Sequence, residues 1–383
     1  MNTIRIPKRF TNNVCESLLE QLGNTSEQII DVQLPQSLAF GGSLSSEARL
    51  IQFLISVRRK SKFLQFSTYK SPRSMDEQLD DLSGHAYGLV AFYLADNFRF
   101  DAGELADRRY LLQHVSPYLK AADSGDFART GKGIAANLLM LQGARSEYLR
   151  PLYKGNSPKL RDASSIELAI KNILLFLAQN KTEKHLLEFL TSDLSLSLRE
   201  LVENIDDHAS QSLDKSRINR NARGALFRYH RINAHKLSYE TELDGPMASF
   251  AGGTASRSLL KGKRDTPLLE MSIFDSGFGI PCRWFGRASD EIPFADQVKY
   301  TKRSFLEGET TKKSGDAAGY GLFRLQQVAK RLHGLIEIRT CKVNIWRTFR
   351  PEDDLEGQLS WMGEHSEMND ISGTRVSLIA PVI

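Results

Sequence analysis

The sequence predicts an α/β protein in three parts: a small α/β lobe over residues 1–110, a helical connector over 111–185 and a pocket-bearing α/β domain over 186–383. Three observations predict it. Strand-like and helix-like segments alternate at the start of the chain. A long middle stretch, 75–190, carries apolar side chains at helical spacing. The last half runs a strand into a glycine turn, then a glycine-rich segment into a helix, and closes on two alternating strands. With 383 residues, 41% apolar and 25% charged, the chain has the composition of an ordinary globular protein of two or three domains.

In the first part, Ile29-Ile-Asp-Val-Gln-Leu34 and Phe63-Leu-Gln-Phe66 read as short strands. Residues 45–59 between them read as a helix. Ser45 is placed to cap it, and Ala48, Leu50, Ile51, Leu54 and Ile55 line one side. The apolar runs 88–95 and 173–178 fall short of the roughly 18 residues a membrane span needs, so they read as buried helix. Residues 164–179 place Ile166, Ile170, Ile173, Leu174 and Leu177 on one helical face. The segment 237–264 is rich in Gly, Ser, Lys and Thr and reads as an insertion or mobile loop.

The candidate chemistry lies in the last part. A helix over 193–209 carries an apolar stripe of Leu194, Leu198, Leu201, Val202 and Ile205. Glu200, Asn204, Asp207 and His208 fall on another side, one turn above another. Magnesium takes hard oxygen ligands, so the Asn204 amide oxygen can hold it beside phosphates, and Glu200 can take a proton from an attacking water. The competing reading is a solvated helix face. Next, Leu269, Met271, Ile273 and Asp275 share strand parity, so a carboxylate follows three apolar residues towards the core. A buried lone carboxylate is costly without a donor, and an adenine amino group is a suitable one. Gly277 and Gly279 let the backbone approach a base, although a tight turn after an edge strand has the same composition. A glycine-rich stretch over 308–321 then opens a helix bearing Leu322, Leu325, Val328 and Leu332, with Gly334 placed to end it. Free backbone N–H groups at such a helix start can receive phosphate, or the glycines can be a plain hinge. Ile336 and Ile338 mark one late strand, and Gly373-Thr374-Arg-Val-Ser-Leu-Ile another.

Together the stretches at 200–208, 275–280, 319–322 and 373–374 resemble the N, G1, G2 and final Gly-Thr motifs of the GHKL ATPases. That superfamily includes gyrase, the heat-shock chaperone, histidine kinases and a mismatch-repair protein. The resemblance implies a two-layer α/β sandwich of the Bergerat type with a mixed sheet, binding ATP and Mg2+. It implies Glu200 as catalytic base, Asn204 as metal ligand, and Asp207 reaching the nucleotide or its waters. His208 is similar to the kinase branch. Asp275 would receive the adenine amino group beside Gly277, Gly279 and Ile280, and Thr374 would help fix the base or its water. Residues 308–322 would form a lid, with Thr310, Thr311, Lys312 and Lys313 nearest the terminal phosphates and Gly319, Gly321 and Leu322 at its end. The strand–helix–strand lobe resembles the STAS regulatory fold.

Other classes are disfavoured. The Walker pattern is absent, so no P-loop is expected. Cys15, Cys282 and Cys341 are isolated and odd in number, which argues against a disulfide scaffold or a zinc ribbon. The N-terminus lacks a signal-peptide core and no run is long enough for a membrane, so a cytoplasmic location is expected. The net charge of +5 is modest. Two basic clusters, Arg58-Arg59-Lys60-Ser-Lys62 and Lys215, Arg217, Arg220, Arg223, read as solvated faces ahead of a nucleic-acid surface. The expected function is an ATP hydrolase acting as a nucleotide-driven switch on a protein partner or a second copy of the chain. A histidine or serine/threonine kinase of the sensor or anti-sigma type, and a non-hydrolysing nucleotide sensor or scaffold, are the alternatives. His114-Val-Ser-Pro and His185-Leu-Leu-Glu do not fit a phosphoacceptor histidine helix.

Overall fold

The computed structural model describes residues 2–25, 28–100, 103–208, 216, 218–235, 245–306, 321–349 and 361–382, without the side chains of Asp207 and His208. The fold is mixed α/β, built on two sheets. The N-terminal sheet has the order β1 (Asn2–Arg5), β2 (Ile29–Leu34), β3 (Phe63–Thr68), β4 (Asn97–Arg99), β5 (Leu105–Asp107). Its first four strands are parallel and the last is antiparallel. Parallel neighbours need crossovers, supplied here by α1 (Asn12–Gly23), α2 (Ser46–Lys60) and the pair α3 (Met75–Ser83) and α4 (Ala86–Leu94). Then α5 (Arg108–Ser124) leads to β6 (Ala135–Leu141).

The second sheet contains β6, β7 (Ala222–Asn233), β8 (Asp265–Phe274), β9 (Leu335–Cys341), β10 (Val343–Thr348) and β11 (Ile371–Pro381). Its order is β10-β9-β11-β8-β7-β6, and every pairing is antiparallel. The mixed sheet is thus the N-terminal one, not the C-terminal one as expected. One face of the second sheet packs on α6 (Ala163–Leu177), α8 (Thr191–His208) and, beyond it in sequence, a helix at Gly321–Arg331. Ile166, Ile170, Ile173, Leu198, Val202 and Leu325 are buried there against Phe227, Met271, Ile338 and Val376. The remaining helices are α7 (Lys181–Glu188), α9 (Gly245–Leu260), α10 (Ile280–Phe285) and α11 (Phe294–Arg303), which makes Gly321–Arg331 α12.

The opposite face of the second sheet receives α2. Sequence alone shows this helix as one-sided, but Glu47 to Val57 are buried throughout. Its apolar stripe joins the core shared with β2, β3 and α4. A second, polar stripe, Ser45, Arg49, Gln52, Ser56 and Arg59, repeats at spacings of four and three and so faces one way. Every member meets the second sheet or the turn after β8. Ser45 Oγ is 2.7 Å from Ser377 Oγ, and the Ser45 N–H donates to Glu270 Oε1 at 3.2 Å. Arg49 lies 3.6 Å from Glu337, Gln52 Nε2 donates to the Arg339 carbonyl at 3.0 Å, and the Ser372 N–H donates to Ser56 Oγ at 2.9 Å. Ser45 therefore does not cap α2. It takes a left-handed conformation and gives its hydroxyl to the sheet.

Several expectations are corrected here. Residues 111–185 were expected to be helical, yet they contribute β6, whose apolar run has no periodicity to separate strand from helix. The supposed insertion holds α9, whose Met247, Phe250, Ala251 and Ala255 bury against Ile232, Leu268 and Ile379; residues 236–244 lie outside the described residues. Gly334 does help to end α12, its N–H donating to the Ala329 carbonyl at 2.8 Å, but it is not the left-handed residue. His333 takes the left-handed conformation, and Gly334 also allows close approach to β11, where a Cβ would lie 2.7 Å from the Ile379 carbonyl oxygen. Among the described residues no helix is long and apolar enough to cross a membrane.

Candidate functional site

The site begins where β8 ends. Asp275 follows Ile273 in strand parity, so it stands on the face that carries α6, α8 and α12. Its side chain keeps part of its area open. Burial is nevertheless the largest influence on its carboxyl and pushes it up to about 6, against the backbone donors of Gly277 and Thr374 and the charges of Arg59 and Arg283. Partial access with heavy desolvation describes a carboxyl that protein atoms largely surround. The Gly277 N–H donates to Asp275 Oδ1 at 2.6 Å.

The last strand closes one side of this turn. The Asp275 N–H donates to the Thr374 carbonyl at 3.0 Å, and the Gly373 N–H to the Gly277 carbonyl at 2.8 Å. Gly373 has φ +75°, and a Cβ there would overlap the Asp275 carbonyl. Gly279 has φ +90°, and its Cβ would lie 2.6 Å from Thr340 Oγ1. Both positions therefore exclude a side chain by conformation and by space. Thr340 and Thr374 face each other with hydroxyls 3.1 Å apart, and the Ile280 N–H donates to Thr340 Oγ1 at 3.0 Å. Asp275, Gly277, Gly279, Ile280 and Thr374 are thus gathered in one place.

Glu200 and Asn204 stand on α8 over the same face of the sheet, Glu200 buried and Asn204 half-buried. Gly321 opens α12 directly against Glu200: a Cβ on it would be 2.9 Å from Glu200 Cβ. Arg324, one turn into α12, lies 4.0 Å from Glu200 Oε1. Leu322 is packed in the core beneath. Among the described residues no three His, Cys, Asp or Glu side chains gather into a metal cage. A magnesium ion that draws most of its oxygens from phosphates and water needs no such cage, and an amide oxygen beside a carboxylate is a fitting donor set for it. Thr310, Thr311, Lys312, Lys313 and Gly319 lie outside the described residues, as do the side chains of Asp207 and His208.

Sequence reading missed five neighbours of the site. Arg324 carried a signal, its position one turn after Gly321. Thr340 carried none beyond strand parity. Arg59 reaches the site from α2, donating to the Ser276 carbonyl with its guanidinium 4.5 Å from the Phe278 ring centroid. Burial lowers the pKa of Arg59, while Asp275 and Asp370 oppose that. Cys282 and Cys341, isolated in sequence, are free buried thiols with sulfurs 3.4 Å apart. The second basic cluster is not a solvated face at Arg223, which is buried against Asp206 at 3.0 Å and Glu147 at 3.4 Å. Lys215 and Arg217 are outside the described residues. Comparison of the chain with protein-family models, with curated proteins and with solved structures finds no match.

Proposed function

We propose that the second sheet and its helices bind Mg-ATP and hydrolyse it, as a switch of the GHKL type. On this reading α6, α8 and α12 over the six-stranded sheet are the two layers of the sandwich. The adenine amino group donates to Asp275. The Thr340 and Thr374 hydroxyls hold the edge of the base or a bridging water. Asn204 offers its amide oxygen to the metal, which when bound would neutralise phosphate charge. Glu200, beside the start of α12, accepts the proton of the attacking water, and Arg324 balances its charge. Contacts made by α12 and by α2 would then differ between nucleotide states, which is how a partner or a second copy would sense them.

The observation that carries this reading is the Asp275 carboxyl: desolvated, partly exposed, and held at the turn where Gly373 packs on its backbone. The test is steady-state phosphate release. Wild type should turn over ATP, and Glu200→Gln should slow it by about 100-fold or more while still binding nucleotide. Equal rates would remove Glu200 from the chemistry.

A further inference from the structure

Behind the Asp275 turn, on the side facing α2, lies a separate cleft of about 300 Å³ between α2, the approach to β7 and the Ser276–Phe278 backbone. Three arginines line it: Arg58, Arg59 and Arg220. Among the described residues no carboxylate lines it. The nearest is Asp96, which ties two of the three from behind: Arg58 Nη1 at 2.6 Å and Arg220 Nη2 at 2.5 Å.

The guanidiniums are held rigidly. Arg220 Nη1 donates to the Leu94 carbonyl at 2.6 Å, and Arg58 Nη2 to the Lys62 carbonyl at 3.2 Å. Arg59 donates to the Ser276 carbonyl and stacks on Phe278. These bonds occupy a minority of the five N–H donors each guanidinium carries. Arg108 adds a further charge nearby. Burial lowers its pKa first, then the repulsion of Arg220, with Arg58 adding to it, while Tyr93 and Asp96 oppose the shift. Arg59 is answered by Asp275 and Asp370 beyond the turn, so Arg58, Arg220 and Arg108 share Asp96, and three cations against that one carboxylate leave an excess of two positive charges around a half-buried recess.

Holding like charges together out of bulk water is unfavourable unless an anion completes the set. A single carboxylate would leave one charge over. A phosphate group, carrying close to two negative charges near neutral pH, balances it, and planar guanidiniums match its oxygens in pairs. The cleft is at the small end of ligand pockets, too narrow for a nucleic-acid duplex. We infer that this cleft is a second ligand site, built for the phosphate or diphosphate group of a small molecule and distinct from the Asp275 pocket.

The experiment is calorimetric titration of the full chain with inorganic pyrophosphate, with sodium sulfate and sodium chloride at matched ionic strength as controls. Wild type should bind pyrophosphate with micromolar affinity. Arg58→Gln and Arg220→Gln should each weaken it at least tenfold. Asp275→Asn should not weaken it, and Asp96→Asn, which removes the competing anion but keeps an acceptor, should tighten it at least threefold. The last variant keeps the test decisive should an arginine variant misfold, since a merely structural network gains nothing from it. No heat at millimolar pyrophosphate would overturn the inference. So would equal binding by sulfate, unaltered binding in both arginine variants, weaker binding in Asp96→Asn, or loss in Asp275→Asn alone. Tight capture of a single-stranded oligonucleotide in preference to pyrophosphate would overturn the small-molecule assignment.

Discussion

At Asp275, one side chain joins two demands that usually exclude each other. It ends a buried strand, where a carboxylate is costly, and it still keeps part of its area exposed. A donor arriving from a ligand favours the ionised form. The sign follows: with the free carboxyl near 6, nucleotide must meet a protonated side chain below that pH and expel its proton. ATP affinity should therefore fall as pH drops through about 6, and titrations of Asp275→Asn should lack that pH-dependent step. Gly373→Ala should be equally damaging to binding without touching a charged group, because its Cβ overlaps the Asp275 carbonyl. Much of this was legible in sequence. Gly277, Gly279 and Gly373 are signals because glycine is required wherever backbone crowds backbone. Thr340 and Arg59 were not legible, since a threonine in a strand and an arginine at a helix end are common and their partners are far away in sequence.

Among elements, α2 matters most, because its polar stripe docks the second sheet and ends at the Asp275 turn. Gln52 is the clearest probe. Its amide donates to the carbonyls of Arg339, at 3.0 Å, and Gly373, at 3.4 Å, from the far side of the sheet. Gln52→Ala should cost about 1–3 kcal/mol by leaving those carbonyls unpaired. Amide hydrogen exchange over residues 371–376 should speed up, and ATP affinity should drop although residue 52 lies behind the sheet. Unchanged exchange there would show that α2 does not brace the pocket. Elements with one clear period were readable in advance: α2, α6, α8, β2, β3, β8, β9 and β11 lie where the spacing put them, within a few residues, and α4 was read from its unbroken apolar run. The missed strands have different causes. β7 buries Arg223 and Arg228 where alternation calls for apolar residues, because Asp206, Glu147 and Glu47 await them. β4 and β5 are three residues each, too short for any period to register. The basic end of α2 at Arg58 and Arg59 was read as a solvated face, and Arg49, Gln52 and Ser56 carried no reading, because the sequence does not announce a second sheet lying over them.

Across the whole molecule, the two sheets are joined through buried charge as well as oil. Glu337 sits at the centre, 2.8 Å from Arg375 and 3.6 Å from Arg49, with Asn12 Nδ2 donating to it at 3.2 Å. Burial alone would raise its carboxyl, but Arg375 and Arg49 outweigh that and hold it at about 2. A depressed carboxylate stabilises the fold above its unfolded pKa, near 4.3, and that stability drains away as pH falls towards about 2. The contribution is on the order of 3 kcal/mol. Urea unfolding of wild type should lose stability steeply between those pH values. Glu337→Gln should start about 3 kcal/mol lower at neutral pH, because two arginines stay buried without their anion, and its acid slope should be shallower. The overall α/β character was legible from composition and period. The meeting of the lobes was not, because Asn12, Glu16, Arg49 and Glu337 only become partners once both sheets exist.

The account turns on whether the site at Asp275 takes a purine nucleotide. The direct measurement is isothermal titration of Mg-ATP into wild type and Asp275→Asn, with pyrophosphate as a control for charge alone. Saturable binding by wild type, weakened at least tenfold in Asp275→Asn while pyrophosphate binding persists, is the expected result. An absence of ATP heat at millimolar nucleotide, or identical ATP affinity in the two proteins, would contradict it.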